Sequence, residues 1–235
     1  MLGAARGLLS DSVVLRSGRR VSTWSSTGAC SVVCTCSARL AYAKTHRADA
    51  DVRRRFVASD PPDLDWTVWD WGPDCPWDTV LQRDFNSVYD SVDMILLSRI
   101  MIEEGFLDHW TAAAGEHPDD ALYAFARRIV EIEKVVGSSK LADAPSPSTR
   151  IVRGPLAEEV AALKAEPGDD IICFGGVRFA TALLAHGLVD ELQLFVNPTA
   201  VHSGRSIFNH VLRLRLAASK AYDCGIVVNR YAPAP

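Results

Sequence analysis

The chain has 235 residues, 48% of them hydrophobic and 23% charged, with a net charge of −4 and a pI of about 5.9. This composition fits a globular protein of one large domain or two small ones, long enough to bury a sizeable core. The mildly acidic balance gives no global attraction to nucleic acid or anionic membrane, no apolar run reaches the ~18–20 residues of a membrane span, and Arg6 interrupts the one candidate signal core, Leu2 to Leu9.

Charge is unevenly spread. Residues 1–48 carry seven Lys and Arg against one acid, Asp11. Residues 1–55 are rich in Ser, Arg, Ala and Cys and hold no sustained period of two or of 3.6, so they read as an irregular or disordered leader. An Arg- and Ser-rich presequence and a shifted reading frame are the other two readings of this segment. Six cysteines are present, three clustered at Cys30, Cys34 and Cys36 and three scattered. That is not a disulfide framework for a chain of this length, and it points to a reducing, cytoplasmic setting. The cluster lacks a second pair or a His in ligand register, so no metal site is expected.

The texture changes near Phe56, and residues 56–235 read as the folded domain. A turn at Asp60-Pro61-Pro62-Asp63 leads into a stretch holding Trp66, Trp69, Trp71 and Trp77. Those rings suit either core or dimer packing or an aromatic wall for a ring substrate. Helices are expected over 80–90, 100–110 and 121–131, and strands over 93–97, 134–137 and 149–153. Gly154-Pro155 opens a further helix with proline at its first position, a core face of Leu156, Val160 and Leu163, and a stop at Pro167-Gly168.

The next segment, Asp170 to Leu184, is the most informative. An apolar strand, Ile171-Ile172-Cys173-Phe174, ends in Gly175-Gly176, and an amphipathic helix follows at once, closed by His186-Gly187. A helix that starts on two glycines leaves its first N–H groups bare at the positive end of its dipole, which attracts phosphate. The competing reading is a tight left-handed corner. A strand over 191–196 and an antiparallel pair over 212–217 and 225–231 complete the chain. Strands alternating with helices, followed by terminal strands, argue for an α/β fold with a mostly parallel central sheet, flanking helices and antiparallel C-terminal strands.

In order and spacing, residues from about 60 to 231 resemble the dihydrofolate reductase-like domain of riboflavin-biosynthesis reductases, in its stand-alone bacterial form. The likeness is carried by Asp63-Leu64-Asp65-Trp66, Asp93 to Arg99, Lys134 to Ser139, Arg153-Gly154, Phe174-Gly175-Gly176, Gly187 to Leu192, and His202 to Phe208. It implies an NADPH-dependent reductase of a small, heterocyclic substrate, acting as a homodimer, of the 5-amino-6-(5-phosphoribosylamino)uracil reductase/dihydrofolate reductase-like kind. Neither nucleic acid nor membrane is an implied partner.

The resemblance also implies site residues. Ser98 and Arg99 face cofactor phosphate. Ser138, Ser139 and Lys140 lie near the adenosine 2′-phosphate. Gly175, Gly176, Val177, Arg178, Phe179 and Ala180 wrap the pyrophosphate. Asp65, Trp66 and Phe174 lie toward the substrate, and no catalytic acid is assigned. Three departures stand out. The phosphate turn, usually Gly-Arg-Arg-Thr, reads Ser98-Arg99-Ile100-Met101, and an often-basic position is Ser139. Phe174 occupies the place of a substrate-holding Glu. Two lost phosphate contacts at roughly 1.5–3 kcal/mol each weaken binding more than tenfold, so a catalytically impaired dimeric relative is the alternative. The family's opening central strand has no clear match in residues 1–58. Val13-Val14-Leu15 and Val32-Val33 are its weak substitutes.

Overall fold

The computed structural model describes residues 11–16, 31–37, 58–59, 75, 77–198 and 204–234, the first three stretches as backbone. Strand β4 (Val92–Ser98) lies inside the sheet, between β7 and β5. Its side chains alternate between two cores. Ile95 and Leu97 face one with Phe85, Trp110 and Phe125; Met94 and Leu96 face the other with Val160, Leu183 and Leu184. A strand buried on both faces loses the polar alternation of a half-exposed one, and helices must cover each side.

On the first face lie α1 (Thr79–Val88), α2 (Arg99–Glu103), α3 (Phe106–Glu116) and α4 (Ala124–Glu131). On the second lie α5 (Leu156–Ala165) and α6 (Val177–Ala185). The helix expected over 100–110 is in fact two. Gly105 sits at φ 83°, in the left-handed region, and its N–H reaches the Ile102 carbonyl, ending α2. A second helix then starts at Phe106, which buries Phe106 and Trp110 one turn apart. At α5, Pro155 is the N-cap residue and not the first helical one. The end of α6 follows the sequence closely: Gly187 takes φ 64°, and the Leu188 and Gly187 N–H groups bond back to the Leu183 and Leu184 carbonyls.

Beside β4 run β5 (Glu133–Gly137) and then β6 (Thr149–Val152); on its other side runs β7 (Asp170–Phe174), all parallel to it. The far half of the sheet holds β8 (Glu191–Asn197), β11 (Val227–Pro233) and β10 (Leu214–Ala221), with β11 antiparallel to both neighbours. The two halves are joined by β1 (Asp11–Arg16) and β2 (Ser31–Ser37), from the segment read as a leader. Strand β1 is antiparallel to β7, and β2 is parallel to β8. The order is therefore β10-β11-β8-β2-β1-β7-β4-β5-β6, with β1 and β11 running against the rest. A short separate pair joins β3 (Ala58–Ser59) to β9 (Gly204–Arg205). The fold is mixed α/β of dihydrofolate reductase type. Among the described residues no helix is long and apolar enough to cross a membrane.

Candidate functional site

Parallel strands bring their carboxyl ends to one edge, and here the register is close. Ser98 pairs with Gly137, Gly137 with Val152, and Leu97 with Phe174. The turns that leave β4, β5, β6 and β7 therefore stand side by side. The chain runs outward from β4 to β5 to β6, then crosses back to place β7 on the other flank of β4. In open α/β sheets such a reversal marks the place, outside the carboxyl ends of the strands, where ligands bind; here it falls at the ends of β4 and β7. Ser98 ends β4 there, and Gly175-Gly176 follows the end of β7.

The two glycines do different things, and neither is a left-handed corner. Both lie outside the positive-φ set of Gly105, Gly168, Gly187 and Gly225. A Cβ on Gly175 would fall 2.4 Å from Phe179 Cδ1, so the Phe179 ring lies flush on that backbone. The far edge of the same ring approaches Gly137, where a Cβ would stand 3.9 Å from Cε2. Phe179 thus ties the turn after β5 to the start of α6. Above Gly176 nothing lies within 4 Å of the Cβ position. That space fronts the first turn of α6, which no side chain caps.

The start of α5 has no side-chain cap either; there Glu159 Oε1 accepts the N–H of Gly154, one residue before the N-cap Pro155, at 2.7 Å and lies close to Gly154. No such carboxylate lies over Gly176. Val177 and Ala180 point their side chains into the core, so their share of any site is backbone; Arg178 is exposed.

Ser98 is 7% exposed, and its Oγ has no hydrogen-bond partner. By strand alternation it lies on the same face as Met94 and Leu96, the α6 side. A buried hydroxyl without a partner costs about 1–3 kcal/mol. Such a group at the carboxyl end of β4 suits donation to a phosphate oxygen. Arg99 opens α2 and is committed to Glu103 one turn on, with side-chain exposures of 31% and 48%.

In the turn after β5, Ser138 Oγ accepts the N–H groups of Lys140 at 3.1 Å and Leu141 at 3.0 Å, which leaves Ser139 and Lys140 exposed at the tip. Phe174 is fully buried, with its ring centroid 5.1 Å from that of Phe106, so it is a core residue of the first face and not part of an open surface. Asp65, Trp66, Trp69, Trp71, His202 and Cys30 lie outside the described residues; Cys34 and Cys36 lie on β2.

A cavity of about 320 Å³ opens elsewhere, between α1 and the strands β8, β10 and β11, and reaches Ser91 and Asp170 at the amino ends of β4 and β7. Its charges answer one another. Tyr222 Oη and Lys220 donate to Asp84, and Arg230 forms a two-pronged pair with Glu191. Burial, then the Asp84 carboxylate, push the Tyr222 hydroxyl well above its ordinary value. These groups are structural partners of one another; Lys220 stands level with Phe195, toward the carboxyl end of β8.

The RibD C-terminal domain family matches residues 59–228. The chain belongs to that family. A curated relative, the uncharacterized protein YyaP of Bacillus subtilis (strain 168), is 25% identical over 175 residues, which is 73% of this chain and 85% of YyaP. A putative riboflavin biosynthesis protein from Shewanella sp. PV-4 superposes with a TM-score of 0.51 at 17% identity, over 77% of this chain and 93% of that one. A dihydrofolate reductase from Enterococcus faecalis, solved with NADP(H), gives a TM-score of 0.42 at 14% identity, over 68% and 86%. Membership in the RibD C-terminal family makes this a reductase-type domain. The match begins at β3 and so covers none of β1 or β2.

Proposed function

We propose that the protein is an NADPH-dependent reductase that transfers hydride to a small heterocyclic substrate. The observation that supports this reading most is the pair of turns at the carboxyl ends of β4 and β7. An uncapped helix start, open space over Gly176 and the unpartnered Ser98 Oγ meet at the switch point of a reductase-family sheet. The first N–H groups of α6 would hold the pyrophosphate, Ser98 Oγ would donate to a phosphate oxygen, and the turn 138–140 would meet the adenosine end. The dihydronicotinamide, when bound, supplies the hydride; the chain's own work is binding and orientation. A small-molecule substrate, a homodimer and a cytoplasmic setting belong to the same reading. Edge strand β10, with Leu216 53% exposed, supports self-association.

Fluorescence titration of the full chain with NADPH tests the reading. Saturation below millimolar cofactor is expected, and no saturable binding at millimolar NADPH overturns it. One observation favours the impaired relative instead. The turn 98–101 offers a single cation, Arg99, already engaged by Glu103, followed by Ile100 and Met101. Binding without NADPH oxidation across a panel of pteridine and pyrimidine substrates would decide for it.

A further inference from the structure

The cavity of about 320 Å³ between α1 and the strands β8, β10 and β11 lies at the low end of the roughly 300–1,000 Å³ of small-molecule clefts. Leu81, Phe85 and Val88 from one face of α1, with Phe195 and Val228 from the sheet, give it apolar walls. Its charges limit what can enter. Lys220 is held by Asp84 and Arg230 by Glu191, and the Asp170 carboxylate accepts the Ser91 hydroxyl at 2.9 Å. A charged ligand would have to displace one of these partners, so the occupant that fits is neutral.

Gln193 and Arg230 border this cavity and face each other across β8 and β11. Both are anchored on one carboxylate. Glu191 Oε1 accepts Arg230 Nε at 2.6 Å and Gln193 Nε2 at 3.1 Å, and Glu191 Oε2 accepts Arg230 Nη2 at 2.7 Å. Glu191 and Gln193 are 7% and 6% exposed, so neither side chain is at liberty to turn away. Two groups are left over: Arg230 Nη1, a donor, and Gln193 Oε1, an acceptor that is not sealed off from the cavity. No described residue hydrogen-bonds to either. A fixed donor and a fixed acceptor on neighbouring strands complement an amide edge, where C=O stands beside N–H. We propose that this cavity binds a neutral, flat ring with a lactam edge. The ring carbonyl accepts from Arg230 Nη1, the ring N–H donates to Gln193 Oε1, and the ring lies against the apolar walls. This is a second ligand site, distinct from the turns that follow β4 and β7, since Ser91 and Asp170 at its far end mark the amino ends of those strands.

The test uses binding alone and stands apart from the cofactor reading. Full-length protein is titrated with 2-pyridone and with N-methyl-2-pyridone, which keeps the ring and carbonyl but lacks the N–H, and binding is followed by broadening of the ligand's proton resonances. Saturable binding of 2-pyridone is expected, with the N-methyl compound weaker by about tenfold or more. Gln193→Leu removes the acceptor and should cost 2-pyridone about tenfold. Ala218→Trp, at an exposed position of β10 that borders the cavity, fills it from outside and should abolish binding. Saturating NADPH should leave 2-pyridone affinity unchanged. No saturable binding up to about 10 mM overturns the proposal, as does equal affinity for the two compounds. Binding that survives Ala218→Trp, or that NADPH displaces, places the ring elsewhere and overturns it too. If circular dichroism shows that Gln193→Leu fails to fold, Ala218→Trp and the N-methyl comparison decide.

Discussion

At Gly175 and Gly176 two adjacent residues of one type answer to different forces. Gly175 is glycine because Phe179 lies on it, so Gly175→Ala forces ring and backbone apart and should cost about 1–3 kcal/mol in a denaturant melt. Gly176→Ala meets nothing and should leave stability within about 0.5 kcal/mol. Gly176→Asp should fold yet abolish NADPH binding, because a carboxylate then occupies the open helix start. Ser98 makes a sharper case. Ser98→Ala removes a buried hydroxyl without a partner, so the ligand-free protein should gain about 1 kcal/mol while NADPH affinity falls about tenfold. Melting curves with and without NADPH read both signs. The glycine pair was visible in the sequence, but its division of labour was not, because the Phe179 contact is set by a ring four residues on. Phe174 differs from its expected place toward the substrate for a related reason: a resemblance of motifs gives a position, and strand alternation turns the side chain into the core.

Helices were legible where caps and stops are written locally. Asp78 caps α1, and its carboxylate accepts the Leu81 N–H at 2.8 Å and the Cys224 N–H at 3.0 Å, tying the helix to the turn before β11. The Leu81 bond is the main reason that its carboxyl titrates below the ordinary value. A carboxyl so lowered adds stability that is whole above about pH 4 and is lost as pH falls through the folded value. Asp78→Asn should therefore flatten the acid limb of the stability–pH curve, and Asp78→Ala should cost about 1–2 kcal/mol at neutral pH. Helices α2 and α3 were less legible, since Glu104-Gly105 interrupts an otherwise continuous apolar rhythm and only the positive φ at Gly105 separates them. At α5 the Glu159 carboxylate takes the N–H of Gly154, just before the N-cap, whereas nothing stands over Gly176 at the start of α6. Glu159→Ala should loosen the first turn of α5, by about 0.5–1 kcal/mol, and leave cofactor affinity unchanged.

The sheet as a whole was read correctly on the β4–β7 side, where strands are continuous apolar runs with helices between them. Its middle was not, because Asp11-Ser12-Val13-Val14-Leu15-Arg16 and Ser31-Val32-Val33-Cys34-Thr35-Cys36-Ser37 are short and carry polar residues within the run. What makes them strands is β7 and β8, far along the chain. The structure runs the sheet through both candidate segments, Val13-Val14-Leu15 and Val32-Val33. A variant lacking residues 1–40 removes the only strands between β7 and β8 in this order, and it should lose its cooperative unfolding transition. A sharp transition at unchanged temperature would mark the segment as dispensable. The placement of β1 also bears on how the chain is made. Val14 lies opposite Ile172, about 158 residues later, and ribosomes add roughly 5–20 residues per second. The β1–β2 hairpin therefore emerges from the exit tunnel on the order of ten to thirty seconds before its first permanent neighbour. In that interval its outer edges are open to any passing strand, so nascent chains of this protein should need a chaperone's cover at the amino end before β7 has been synthesised.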